Sequence, residues 1–488
     1  MRHDRDGPRY RMLEIIRAYG QERLAEAGES GPIREAHAQY FTQLAEMSQH
    51  HLFAAEQLDW LRRLADDQDN LHTAIRGAVS AGDARTAVRL VAALGWYWWL
   101  RSMKLEGAEL VAEAVAVPGP QDTEQLALAY TMGALLAAST PRDEDAPEWF
   151  RMGAELASRI PDPDSPLLRL ASPVASLFGA PTLKEPVSPA VFDEAVDDPH
   201  PWVRAIAHLL RGHLAVNYGG LHTQAKADFL AAVDIAGTLG DRWVTAVALS
   251  AVATLEGWRG EHAAAAEHCR QASQLAAELG TIEDELQFRL FGVRELWLLG
   301  EHDRARAELL LAQRDAERLG VPEVLALAAF TAGDLARLDG QHEAARTALV
   351  RAAELAAPRH VPAQLRAVTA TGLGYLSAAD GDLEAARRWH AQALAAARSS
   401  ADAPVIAQSL VGLADLALHE GRPERAAELL GASSGIRGTT DRSVQDEQMV
   451  AEAARAELGE AGYGEAYQRG QRVTLDTLPA LIEVTPGA

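Results

Sequence analysis

Four short stretches hold residue types that do chemistry. GASSG (431–435) has the spacing of a G-x-S-x-G nucleophile elbow. That elbow needs a strand before the serine and a strained turn at it. Here Ser433 falls inside a helical pattern, so a nucleophile is not expected. EHAAAAEHC (261–269) gathers His262, Glu267, His268 and Cys269. His262 recurs as His302 and His342 at the same place in later segments, so repetition explains it better than zinc does. His268 and Cys269 are adjacent and point to different sides of a helix. HEAAR (342–346) lacks the second histidine of a zinc-protease helix. DGDLE (380–384) lacks the glycine at the sixth position of a calcium loop, and Asp382 reads as a helix N-cap. No G-x-x-x-x-G-K-[ST] phosphate cradle occurs. The expectation is a non-enzyme with no cofactor and no metal site.

Aromatic side chains offer binding instead. LGWYWWLRS (94–102) places Trp96, Tyr97, Trp98 and Trp99 in a row. At about 100° per residue, four consecutive rings cover most of a helix circumference. Trp96 and Trp99 share a side, with Tyr97 and Trp98 turned away. A helix apolar all round is normally buried, so the run is expected to be core at a seam between the opening helices and the later array. The alternative is a partly open pocket in which Tyr97 or Trp98 is exposed to a partner.

These residues need scaffolding, and composition bounds what it is. The 488 residues are 48% hydrophobic and 24% charged, ordinary for a folded protein but long for one core. The formal charge of −23 repels phosphate backbones, so no direct nucleic-acid binding is expected. Cys269 is the sole cysteine, which excludes an internal disulfide. The start, MRHDRDGPRYRM, has no apolar core for a signal peptide, and the run near 90–100 is too short to span a bilayer. A cytoplasmic location with no membrane contact is expected.

Along the chain, RYRML (9–13) reads as a strand whose sheet partners lie elsewhere, followed by an amphipathic helix ending at Gly28. Helices are expected near 32–50, 56–65, 69–80, 83–101 and 104–116, with Asp69 and Asp83 as N-caps. Nine of 22 prolines fall between Pro161 and Pro201, so the helices near 122–139, 145–159, 166–178 and 188–197 should be short and interrupted, with a surface loop at 179–187.

From 202 to 435 the pattern is periodic. Gly220, Gly260, Gly300, Gly340, Gly381 and Gly421 stand 40 or 41 residues apart. Five residues after each comes Ala225, Ala265, Ala305, Ala345, Ala386 or Ala426. Nine after stand mostly bulky residues, and twelve after always small ones. Such a period marks a solenoid of helix pairs. The glycine turns, the alanine lets partner helices approach, and the bulky residue fills the gap between layers.

The pattern resembles the tetratricopeptide repeat, most clearly in LGYLSAADGDLEAARRWHAQAL (373–394). Ser377 and His390 depart from that family's preferences, and the period is longer than its usual 34 residues. The resemblance implies an inner curve lined by the first helix of each pair. On it Tyr218, Trp258 and Trp297 are candidate anchors, with Arg211 and Arg294 as candidate carboxylate partners.

A wider resemblance covers about 9–480. RYRMLEIIRAYGQERLAEAGE, HAQYFTQLAE, LDWLRRLADDQDNLHTAIRGAVSAGD and ERAAELLGAS are similar to the join and repeat region of actinobacterial signal-transducing NTPase (STAND) regulators, both AfsR-like (SARP) and LuxR-type. It implies a winged-helix remnant (1–31), a helical linker with a first helix pair (32–117), irregular proline-rich repeats (118–201), tetratricopeptide-like repeats (202–435) and a C-terminal cap and tail (436–488). It also implies a sensing or protein-interaction role in transcriptional regulation. The partner would be a protein, either the regulator's own NTPase and DNA-binding modules or a separate chain, or a small effector. The upstream modules are missing from this sequence, which reads as a fragment, a shortened product or one of several cooperating chains. A free-standing scaffold without a transcriptional role is the other reading. The expected fold is all-α: a right-handed superhelix of helix pairs behind a winged-helix remnant and helical linker.

Overall fold

The computed structural model describes residues 2–4, 7–9, 12–178, 187–358 and 361–483. Two strands, β1 (Arg2–Asp4) and β2 (Gly7–Arg9), pair antiparallel with Arg2 opposite Arg9. The expected strand at 9–13 is therefore displaced. Its described residues past Arg9 are not extended in a sheet, and β2 finds its partner five residues upstream, not elsewhere. A two-residue link makes that pairing the least costly in closure entropy.

The opening helices are α1 (Glu14–Glu26), α2 (Ser30–His51), α3 (Gln57–Asp66), α4 (Gln68–Ser80), α5 (Ala84–Leu100) and α6 (Lys104–Val115). Asp83 caps α5, accepting from the Thr86 amide at 3.1 Å. Asp69 is not a cap but lies in the first turn of α4, where its charge suits the helix dipole. Next come α7 (Thr123–Ala137), α8 (Ala146–Ala157), α9 (Pro166–Arg169) and α10 (Ala171–Phe178). The expected helix at 188–197 is instead two 3₁₀ turns, Pro189–Phe192 and Ala195–Asp197. Between Pro189 and Pro199 there is too little chain to repay helix nucleation. Most of the expected loop at 179–187 lies outside the described residues.

Six antiparallel pairs complete the array. They are α11 (Pro201–Gly219) with α12 (His222–Leu239), α13 (Arg242–Trp258) with α14 (His262–Leu279), and α15 (Ile282–Leu298) with α16 (His302–Leu319). Then come α17 (Pro322–Leu338) with α18 (His342–Leu355), α19 (Ala363–Ala379) with α20 (Leu383–Ser399), and α21 (Ala403–His419) with α22 (Pro423–Arg437). The last elements are α23 (Gln445–Gln471) and α24 (Leu478–Glu483). The six turn glycines have φ between +58° and +88°, a conformation side chains resist. All six alanines five residues on are fully buried. The bulky residue at the ninth position enters notches left by glycines of neighbouring first helices. Phe229 lies against Gly212, Leu349 against Gly333 and Gly372, and His390 between Gly374 and Gly412.

The opening helices dock on this array through aromatic rings. Trp96 and Trp99 lie parallel with centroids 6.3 Å apart, and Trp96 meets Trp202 at 5.4 Å and Trp243 at 5.3 Å, edge to face. The Trp202 indole donates to Asp241 at 2.8 Å. Asp241 is buried, caps α13 through the Val244 amide and also accepts from Gln57. The run at 96–99 is thus the seam itself.

Candidate functional site

The tempting chemical motifs resolve into packing. Ser433 is fully buried in α22 and donates to the Ala407 carbonyl at 2.9 Å. His262 pairs with Glu295 at 2.8 Å and His268 with Glu256 at 2.7 Å, so the two histidines serve different layers. Burial pushes the Cys269 thiol up to about 12, which keeps it protonated and inert. Among the described residues no group of three His, Cys, Asp or Glu is placed to hold a metal. No helix among them is long and apolar enough to cross a membrane.

The array's inner face encloses a cavity of about 590 Å³ to which all six first helices contribute. Its walls are apolar, with Phe229, Phe291, Leu327, Phe330, Leu365 and Val368. One mouth carries the first turns of the later first helices, with Glu283, Asp284, Glu323 and Asp402. Carboxylates there complement the helix dipoles. Lys104, on α6, reaches this mouth and binds Glu283 at 3.0 Å. Burial alone would lower the Lys104 pKa, but the Glu283 carboxylate offsets that and holds it above the ordinary lysine value. Burial raises the Asp284 carboxyl, which Lys104 and a 3.1 Å bond from the Trp243 indole oppose.

The chain itself also lines the cavity near the ends of the first helices, through Asp441, Ser443 and Val444. After α22, a strap of residues 438–444 runs past the ends of α13 and α15. At its root Gly438 packs backbone to backbone on Gly220, and His222 Nε2 lies 2.5 Å from the Arg437 carbonyl oxygen. The turn after the first array helix therefore meets the end of the last one. The strap's Arg442 amide donates to the Trp258 carbonyl at 2.9 Å. Arg294 Nη2 donates to the Ser443 carbonyl at 3.2 Å. Arg337 grips Asp446 with both terminal nitrogens, at 2.7 and 2.9 Å, and binds Asp334 at 2.9 Å. Arg437 is buried, with its closest partners, Pro404 O, Glu447 and Asp441, at 3.4 to 3.6 Å. Burial raises the Glu447 carboxyl to about 7 despite Arg437 beside it.

Of the residues singled out from sequence, Trp258 and Arg294 line the cavity. The Tyr218 side chain lies outside the described residues. Four others are not among the residues that line the cavity. Trp297 is buried at the α15–α16 turn with its ring edge-on to His302 at 4.2 Å. It stands one residue, hence about 100°, off the inner stripe. Arg211 spends its guanidinium on Asp228, at 2.7 and 3.1 Å, and on Asp193 at 3.0 Å. Tyr97 and Trp98 are 1% and 0% exposed, which removes the open-pocket alternative. Trp98 instead packs against Gly107 of α6.

Sequence reasoning missed most of the stripe. Gln287, Leu327, Val368 and Gln408 each stand thirteen residues before a turn glycine and line the cavity. Counting back from the glycine by helical spacing would have found them. The strap carries no periodic signal.

Residues 365–437 match the tetratricopeptide-repeat family model. No curated protein sequence matches the chain. Among solved structures, a Rap protein complexed with Competence and Sporulation Factor is similar at 14% identity and a TM-score of 0.50, covering 81% of this chain and 98% of that one. The Rap conjugation gene regulator of the plasmid pLS20, in complex with the Phr* peptide, is 14% identical over 72% of this chain and 97% of that one, with a TM-score of 0.41. Yeast Tom70 is 13% identical over 89% and 99% of the two chains, with a TM-score of 0.40. At these identities the likeness concerns architecture only. The chain is a tetratricopeptide-like helix-pair solenoid, with a tetratricopeptide-repeat region that includes residues 365–437.

Proposed function

We propose that this chain is a non-catalytic interaction scaffold whose inner channel takes a segment of a partner polypeptide or a small effector. One observation carries the reading: six first helices converge on a single apolar-walled cavity of about 590 Å³, a volume typical of ligand sites. In the fuller form of the proposal, the scaffold is the sensing end of a bacterial transcriptional regulator of the STAND type, with residues 1–31 as the remnant of a winged helix. That form rests on the sequence resemblance. Trp258 and Arg294 are the proposed contacts, and Tyr218 is kept as a third on sequence grounds.

A photo-reactive benzoylphenylalanine placed at Phe291, inside the channel, or at Leu310, exposed on α16, tests this in cells of the source organism. The expected result is a partner cross-linked from 291 and not from 310. Recovery of the same partners from both positions would defeat the channel. A cross-linked NTPase or DNA-binding polypeptide supports the regulator form, and its absence among channel partners favours the free-standing scaffold.

A further inference from the structure

The strap is held as a bound peptide would be. The fixed points of the strap and of the first turn of α23 that follows it fall on three consecutive first helices: Arg442 on Trp258 of α13, Ser443 on Arg294 of α15, and Asp446, in α23, on Arg337 of α17. Two of these contacts use peptide groups of the turn at 441–444, one N–H and one carbonyl, which the backbone presents whatever its side chains. The third is a two-pronged arginine–carboxylate grip, which asks for an acid at one position. Ser443 and Val444 line the cavity end, and the rest of the cavity continues open beyond them. The strap therefore fills one end of a larger site.

Its root carries a cost. Arg437 is 1% exposed, its Nε has no partner, and its other contacts are long. A buried guanidinium with slack bonds is poorly compensated for the water it lost. Closure is thus held by the contacts at 442, 443 and 446 and opposed by the poorly compensated burial of Arg437.

We infer that residues 442–446, Arg-Ser-Val-Gln-Asp, occupy in cis a register that reads polypeptide segments. A partner segment of the same chemistry, a turn that opens a helix and carries an acid three residues after the residue whose carbonyl meets Arg294, displaces the strap. This rests on the channel being a polypeptide site. A tethered occupant enjoys an effective concentration on the order of millimolar. A free competitor must therefore make further contacts along the open channel, and it shifts the equilibrium only by its greater affinity for the released state.

The full chain and its own segment supply the test. A fluorescent peptide of residues 440–448, TDRSVQDEQ, is titrated into the wild type and into Asp446→Asn, which loosens the strap and leaves Arg337 in place. The variant is expected to bind the peptide at least tenfold more tightly than the wild type. A peptide carrying asparagine at 446 should lose that gain. Amide exchange in the variant should rise at 438–447 and stay protected in α13, α15 and α17. Should Asp446→Asn misfold, replacement of 439–443 by alternating glycine and serine serves as the released form. Equal peptide affinity in closed and released forms, or no binding to either, overturns the inference. In that case a partner cross-linked equally from position 291 in wild type and variant leaves the channel standing, whereas loss of cross-linking from 291 removes the channel as well.

Discussion

The array and its junction with the opening helices are built on opposite solutions to burial. Within each pair, helices nest through Ala225, Ala265, Ala305, Ala345, Ala386 and Ala426, all at zero exposure, and bulky side chains drop into glycine notches. At the junction, Trp96, Trp99, Trp202 and Trp243 meet with centroids 5.3 to 6.3 Å apart. An interface used six times must keep a constant spacing, and small residues give the closest and most uniform one. An interface used once has no spacing to preserve, so it gathers area in a few large rings. The first is sensitive to added volume and the second to lost volume.

The largest expected effect comes from the first. Ala345→Arg drives a charge and a long stem into a full layer, destabilising the surrounding repeats by more than about 4 kcal/mol. Amide exchange should report lost protection across α17–α20, and unchanged exchange would mean that the alanine column is not a contact. Trp202→Ala breaks the other side of the comparison at about 3–5 kcal/mol. Protection should fall in α5, α11 and α13, with 365–437 unaffected. A uniform loss along the chain would show that the junction and the distant repeats unfold together.

The small-and-bulky scheme is least comfortable in the layer that buries His390. Burial lowers the His390 pKa from 6.5 to about 4, and both ring nitrogens lack partners. The folded state therefore holds the neutral ring. Its contribution is intact above pH 6.5 and is lost as pH falls from 6.5 towards 4, amounting to roughly 3 kcal/mol across that window. His390→Leu should remove that part of the pH slope in thermal unfolding. A slope equal to the wild type would place the titration elsewhere.

The smallest effect separates two glycines of like conformation. Gly300, at φ +88°, has open space around it, so Gly300→Ala should cost about 1 kcal/mol in backbone strain alone. Gly240, at φ +79°, has Ala55 backbone 2.8 Å from where a methyl would sit. Gly240→Ala should therefore cost more and weaken the junction. Equal melting-temperature shifts would mean that the α2–α3 loop yields freely.

How much of this was readable from the chain divides along the same line. The repeats were legible because each glycine and alanine repeats its role every forty residues. The tryptophan seam was legible in outline, since four adjacent rings admit little but burial, although Trp202 and Trp243 as their partners were not. The inner stripe was half legible: Trp258 and Arg294 were found, and Trp297 was taken one residue off it. The strap was illegible. Its contacts pair residues 437–446 with residues near 220, 258, 294 and 337, and they exist only because small rotations between repeats add up to one complete circuit.

That circuit fixes something about the chain's history and its engineering. Open solenoids gain or lose hairpins by gene duplication with little harm, since only neighbours touch. Here the backbones at Gly220 and Gly438 cross in contact. Inserting a forty-residue hairpin between them would carry the final turn past the starting one and pull that crossing apart. The copy number of six is therefore part of the tertiary structure, and hairpins can be exchanged in this molecule but not added.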